Sequence, residues 1–225
     1  MRPLFIFATE LEASAFLEES SCRAISPHLW DCKLGYLLIT GMGSLAGATR
    51  LAHALYEIPK SSSLINMGCV ASLRNHNAFD CLQIQEVSKY LERGAVDAHS
   101  RQLFDKVFPS LKLAPLTNLK LPQATLLSVD CPLHHTEKRD QLSAIADVLD
   151  MEGYGLSFAA QECLRPLSMI KCISDFGKEG GFKELQKNIH HCSQKLLQIA
   201  KELVSSYKKQ SSCPTLRHIR LRLFS

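Results

Sequence analysis

Acidic residues follow three separate apolar runs, a placement that suits bond-breaking chemistry. Glu10 and Glu12 come straight after residues 4–8. Asp150 and Glu152 flank Met151 after residues 146–149, and Asp175 follows residues 169–174. If the runs are strands, carboxylates from three strand ends converge on one pocket. There an ionised carboxylate can activate water while a protonated one donates to a leaving group. The same positions suit a plainer role, because acidic residues at strand-to-helix junctions stabilise helix N-termini. Spacing leaves both readings open.

Other chemistry-bearing patterns are weaker. Gly41-Met42-Gly43-Ser44-Leu45-Ala46-Gly47 has the form G-x-G-x-x-x-G, one residue longer than the dinucleotide fingerprint. It reads first as a tight turn with close helix packing; anion binding at the helix N-terminus is the alternative. His134-His135 and His190-His191-Cys192 are adjacent residues and not i, i+4 sets, so no metal is expected. No P-loop, no G-x-S-x-G elbow and no zinc-protease motif is present.

These residues need a scaffold, and the composition is that of a globular one. The chain has 225 residues, of which 46% are hydrophobic, 7% aromatic and 21% charged, with a net charge of +4. That length suits one compact domain. Lys and Arg are not interleaved with aromatics, which argues against nucleic acid as a partner. No apolar run approaches the ~18 residues of a membrane span, and residues 4–8 read as a buried strand and not as a signal peptide. Nine cysteines, an odd number with no C-x-x-C pair, predict free thiols in a reducing cytoplasm.

Strands are expected over residues 4–8, 36–40, 64–67 (ending at Gly68), 82–87, 124–129 and 168–173, with 146–151 able to join the sheet. Helices are expected over 10–19, from Ser44 as N-cap through Leu55, and over 100–108, 136–145 and 153–163. Residues 110–123, with Pro115 and Pro122, read as loop. Phe182, Leu185, Ile189, Cys192, Leu196, Ile199 and Leu203 form one apolar stripe on a last helix. The alternation gives an α/β fold with a largely parallel or mixed sheet, whose ligands lie at the C-terminal strand ends. The expected domain is residues 1–205, followed by a basic tail, 206–225.

Five segments in order resemble the purine nucleosidases of the nucleoside phosphorylase superfamily. They are Ala8-Thr9-Glu10-Leu11-Glu12-Ala13, Leu38-Ile39-Thr40-Gly41-Met42-Gly43, Leu64-Ile65-Asn66-Met67-Gly68-Cys69-Val70-Ala71, Asp150-Met151-Glu152-Gly153 and Ile173-Ser174-Asp175. That family includes methylthioadenosine/S-adenosylhomocysteine nucleosidase and futalosine hydrolase. The resemblance implies a single-domain three-layer sandwich with a central mixed sheet, a homodimer, no cofactor, and a small-molecule purine nucleoside as substrate. It implies that Glu12 activates water and that Asp175, beside Ser174, protonates the leaving purine. Glu152 would accept hydrogen bonds from the ribose hydroxyls, Met151 would pack on the sugar, and Cys131, Pro132 and Leu133 would flank the base.

The chain also departs from the family pattern. Cys69 stands where Ser is usual, and Pro132 replaces the aromatic that stacks on the purine. Thr9 replaces Met beside the 5′ group, which makes the opening segment more similar to futalosine hydrolases. Arg93, His134, Lys178 and Lys183 are the candidate partners for a carboxylated 5′ substituent. The rival readings are a methylthioadenosine/S-adenosylhomocysteine nucleosidase and a non-catalytic nucleoside-binding protein.

Overall fold

The computed structural model describes residues 2–19, 21–60, 62–91, 103–104, 106–133 and 135–211. The strands are β1 (Leu4–Phe7), β2 (Cys22–Ser26), β3 (Leu29–Cys32), β4 (Gly35–Ile39), β5 (Leu64–Ser72), β6 (Cys81–Lys89), β7 (Leu111–Lys112), β8 (Gln123–Ser128), β9 (Val148–Asp150) and β10 (Leu167–Asp175). The helices are α1 (Ser14–Glu19), α2 (Ser44–Glu57), α3 (Thr136–Ser143), α4 (Gly153–Glu162) and α5 (Gly181–Ser211). All the strands join one mixed sheet. β5 lies between β1 and β10, parallel to both, and its end pairs antiparallel with β9. β10 pairs with β6, β6 with β8, and β8 with β9, so five strands close into a ring. β1, β4, β3 and β2 extend outward from that ring.

The strands adjoining the site are buried on both faces. Leu4 and Ile6 of β1 pack into a core with Leu51, Leu126, Val148 and Leu156, on the side of α2 and α4. Phe5 and Phe7 point the other way, against Phe16 of α1 and Cys192, Leu196 and Leu203 of α5. Each such apolar side chain contributes about 2 kcal/mol on burial, more than any single helix-propensity difference. The stripe from Cys192 through Leu196 and Ile199 to Leu203 therefore fixes α5 on the sheet, as its periodicity predicts, whereas Phe182 at its start is exposed.

Several expectations need correction. Residues 22–26 and 29–32 form an antiparallel hairpin that the sequence reading left unassigned. The short β7 pairs with β6 inside the expected loop. β5 does not end at Gly68 but runs to Ser72, because Gly68 pairs with Lys171 and the ladder continues. α1 starts at Ser14, since residues 10–13 form turns, and α5 runs past 205 to Ser211. Of the helix expected over 100–108, residues 100–102 and 105 lie outside the described residues, as do 212–225 of the basic tail.

The cysteines are not all free. Cys22 and Cys32 face each other across the β2–β3 register, with Cα atoms 4.2 Å apart, and form a disulfide. An odd count says nothing about which two residues a hairpin brings together. Cys69, Cys81, Cys131, Cys163, Cys172 and Cys192 are free thiols. Among the described residues, no helix is long and apolar enough to cross a membrane.

α2 and α4 touch through small residues. A Cβ at Gly155 would lie 2.1 Å from the Ser44 carbonyl oxygen. Backbone cannot move aside as a flexible side chain does, so Gly155→Ala must push the helices apart. We expect it to cost about 3 kcal/mol in a urea unfolding midpoint. A cost under about 1 kcal/mol would show that the contact is slack.

Candidate active site

Glu12 sits in a capping box. Its Oε2 accepts from the Thr9 backbone N–H at 3.1 Å and from Thr9 Oγ1 at 3.3 Å, while Thr9 Oγ1 accepts from the Glu12 N–H at 3.2 Å. This T-x-x-E arrangement opens the turn that leads into α1. The plain capping reading is thus correct for this carboxylate, and it also orients it. The other oxygen, Oε1, accepts from the Cys69 backbone N–H at 2.7 Å. Burial pushes the Glu12 carboxyl above its ordinary range, against the pull of the Cys69 N–H, Lys171 and Thr9. Gly68 makes room for it, since a Cβ there would lie 2.8 Å from Oε1.

The centre of the cluster is Lys171, from β10. Its Nζ lies 2.9 Å from Asp150 Oδ2, and both side chains are almost fully buried. Burial alone would lower the lysine, but Asp150, Glu152 and Glu12 together raise it above its usual value. Asp150 is also satisfied by Ser128 Oγ at 2.6 Å and by the Gly153 N–H. A buried ion pair needs such additional hydrogen bonds to offset desolvation. Neither Lys171 nor Ser128 was singled out from sequence. The available signal was a lone lysine in an apolar strand, Leu167-Ser168-Met169-Ile170-Lys171-Cys172-Ile173.

Glu152 begins α4, and its Oε1 accepts from the Gly43 N–H at 2.7 Å. Gly41 and Gly43 have φ of 76° and 94°, so the turn after β4 needs glycine. That turn binds an anion after all, and the anion is the protein's own carboxylate. Gly43 is the N-cap of α2, and Ser44 Oγ instead donates to the Met151 carbonyl at 3.1 Å. Burial first, and then repulsion from Asp150, push the Glu152 carboxyl up to about 7.

Asp175 ends β10 beyond a register shift between Ile173 and Asp175, an irregularity that re-aims the side chain. Its Oδ1 accepts from the Gly177 N–H at 3.0 Å and its Oδ2 from Ser174 Oγ at 2.9 Å. Ser174 Oγ has a second acceptor, the Val70 carbonyl at 3.2 Å.

Cys131, Pro132 and Leu133 line a cavity of about 1000 Å³ with Tyr90, Val129 and Leu142. Glu12, Glu152 and Asp175 are not in its wall. It reaches the loop after β10 through Leu133, whose Cδ2 lies 3.6 Å from where a Cβ on Gly177 would be. Met151 packs on the same local core as Leu133. Cys69 gives the site its N–H, while its thiol packs toward α5. Lys178 lies over the Phe176 ring, and it and Lys183 are exposed; Arg93 and His134 lie outside the described residues. Among the described residues, no group of three or more His, Cys, Asp or Glu is arranged to hold a metal.

By sequence, the chain matches no family model and no curated protein. By structure it is similar to a Neisseria meningitidis 5′-methylthioadenosine/S-adenosylhomocysteine nucleosidase bound to methylthio-immucillin-A. The TM-score is 0.74 at 15% identity, covering 92% of this chain and 100% of that one. A futalosine hydrolase mutant of Helicobacter pylori strain 26695 gives the same four figures: 0.74, 15%, 92% and 100%. A nucleosidase of the first type from Chlamydia trachomatis gives 0.66 at 23% identity, covering 92% and 96%. The chain has the fold of these nucleosidases. The mixed α/β architecture expected from sequence is thereby found, and the nucleosidase resemblance agrees with it.

The charge cluster yields two expected outcomes. Lys171→Met strands Asp150 among other carboxylates and should cost about 4 kcal/mol of unfolding free energy; a loss under about 1 kcal/mol would show that the pair is dispensable. The folded-state pKa of Glu152 lies above its unfolded value, so its proton is held in the folded chain at pH values where the unfolded chain has released it. Its contribution to stability is complete below the ordinary carboxylate range and is lost as pH rises through about 7. Glu152→Gln should therefore stabilise the protein by about 1–3 kcal/mol at pH 8 and hardly at all at pH 4. Thermal unfolding at the two pH values measures this, and equal effects at both would refute it.

Proposed function

We infer that the chain hydrolyses the N-glycosidic bond of a 5′-substituted purine nucleoside. One observation carries this reading: on a nucleosidase fold, a buried carboxylate with a raised pKa, Glu12, is fixed by one backbone N–H from β5 and by its own capping box. A raised pKa makes a carboxylate a better base near neutral pH. Glu12 takes a proton from water as the water oxygen bonds to the anomeric carbon. The bond from that carbon to the purine breaks, and protonated Asp175 delivers its proton to N7 of the departing base. Ionised Glu152 accepts from the ribose hydroxyls, Met151 packs on the sugar, and Cys131, Pro132 and Leu133 flank the base. Positive charge develops on the sugar ring, where fixed carboxylates stabilise it.

Thr9 favours futalosine or aminodeoxyfutalosine over methylthioadenosine, because its hydroxyl leaves the 5′ side less apolar than Met would. Such a substrate belongs to menaquinone biosynthesis in the cytoplasm. The proposed organisation is a three-layer nucleosidase domain over residues 1–205 with a basic tail over 206–225. The proposed assembly is a homodimer; the exposed Leu11, Met42 and Leu45, which follow the neighbouring strands β1 and β4, support it.

Purine release without phosphate is the test, with futalosine, aminodeoxyfutalosine, methylthioadenosine, S-adenosylhomocysteine and inosine as substrates. Base should be released from a futalosine compound. Fast cleavage of the thio-nucleosides alone would instead give a methylthioadenosine/S-adenosylhomocysteine nucleosidase, and binding without turnover a nucleoside-binding protein. Glu12→Gln should lower kcat by about 10³-fold and change substrate Kd less than about threefold. Undiminished turnover in that variant would overturn the mechanism.

A further inference from the structure

Four of the free cysteines converge behind the carboxylate cluster. Cys172, the residue after Lys171, stands opposite Cys81 in the antiparallel β6–β10 register and opposite Cys69 in the parallel β5–β10 register. Cys192 approaches from α5. Its thiol donates to the Ile173 carbonyl at 3.6 Å, and it interacts with the thiols of Cys172 and Cys69. The four thiols thus form one cluster, Cys81, Cys172, Cys192 and Cys69. Cys172 and Cys192 are fully buried, and Cys81 and Cys69 are half-buried. The Cys69 N–H is the group that holds Glu12. The nucleosidase reading uses none of these thiols.

The Cys81–Cys172 pair has the backbone geometry of a cross-strand disulfide. The next position, Ile173 and Asp80, is bridged by an N–H···O=C bond of 2.9 Å. Positions alternate in an antiparallel ladder, so Cys172 and Cys81 face each other at a closely spaced, non-hydrogen-bonded position. The Cα separation there, about 4.5 Å, lies within the span of a disulfide. The same relationship already holds a formed disulfide in this chain, at Cys22 and Cys32. Cys81 is the outer thiol. Interaction with Cys172 holds it below its ordinary value against burial, with Lys195 aiding and Asp80 and Cys192 opposing. The same interactions raise Cys172 and lower Cys192 to about 4, but Cys192 is fully buried, so Cys81 is the thiolate that a peroxide can reach.

We propose that Cys81 and Cys172 are a reversible dithiol site for hydroperoxides. The Cys81 thiolate attacks one peroxide oxygen of hydrogen peroxide. The O–O bond breaks, Cys81 becomes a sulfenic acid, and the departing hydroxide takes up the proton that the Cys81 thiol gave to solvent on ionising and leaves as water. The Cys172 sulfur then attacks the Cys81 sulfur, the S–O bond breaks, the S–S bond forms, and a second water leaves with the Cys172 proton. Two sulfurs lose two electrons in total and the peroxide gains them. A dithiol such as dithiothreitol reverses the step by two exchanges.

The test does not depend on nucleosidase activity, so either reading can fail alone. Wild-type protein is treated with one equivalent of hydrogen peroxide, and free thiols are then blocked in denaturant. Two thiols per chain should be lost, and non-reducing peptide mapping should find Cys81 joined to Cys172. Dithiothreitol should restore both. In Cys172→Ser, Cys81 should stop at the sulfenic acid and be trapped by dimedone. A wild-type chain in which the exposed Cys131 and Cys163 oxidise first while Cys81 stays reduced would overturn the proposal. So would Cys81 oxidising to the sulfinic acid with no link to Cys172.

Discussion

The buried pair of Lys171 and Asp150 is the constraint around which the site is built. Taking both charges out of water costs several kcal/mol per ion, so the surroundings must compensate. They do so through Ser128 and the Gly153 N–H on one side, and through the fields of Glu152 and Glu12 on the other. One ammonium serves three carboxylates. Asp150, at 2.9 Å, takes the direct contact. Glu12 and Glu152 are left with only a share of the lysine's field, and burial then raises both. Burial raises both pKa values, and a lysine already committed to Asp150 offsets only part of the rise.

Backbone supplies the remaining control. Glu12 and Glu152 each receive an N–H at 2.7 Å, from Cys69 in β5 and from Gly43 at the head of α2. These donors belong to elements fixed by the core, so the carboxylates cannot drift without moving a strand or a helix. Glycine at position 68 is part of the same device, because any side chain there would occupy the place of Glu12 Oε1. That requirement also explains why the strand passes through Gly68. The ladder to β10 continues because the missing side chain is replaced by a carboxylate from another element.

Much of this was legible in the sequence. The apolar runs marked the ring strands and β1, and the ends of β1, β9 and β10 marked Glu12, Asp150, Glu152 and Asp175; Glu10, read beside Glu12, is exposed. Pattern could not reach what depends on tertiary proximity. Lys171 reads as an interruption in an apolar strand until Asp150 is placed beside it. The β2–β3 hairpin escaped because exposed Arg23 and half-exposed Asp31 carry no alternating apolar signal. Its register, invisible to a count of cysteines, is what joins Cys22 to Cys32. The capping reading of Glu12 and its fixing by a neighbouring strand looked like alternatives only because each oxygen's partner was unknown. One oxygen closes the turn through Thr9, and the other is held by Cys69.

The electrostatics of the carboxylate cluster bear on the reaction proposed for it. With Asp150 and Lys171 neutralising one another, Glu12 and Glu152 are two further carboxylates in a dry environment, each unfavourable when ionised. A neutral ligand does little to relieve that. A group that gains positive charge between them relieves it in proportion to the charge it gains, so the attraction is greater in an oxocarbenium-like transition state than in the bound nucleoside. Interactions that strengthen toward the transition state are the ones that raise kcat. On the proposed reaction, the cost of ionising Glu152 at neutral pH and the stabilisation of a cationic sugar are then one property of the same carboxylates.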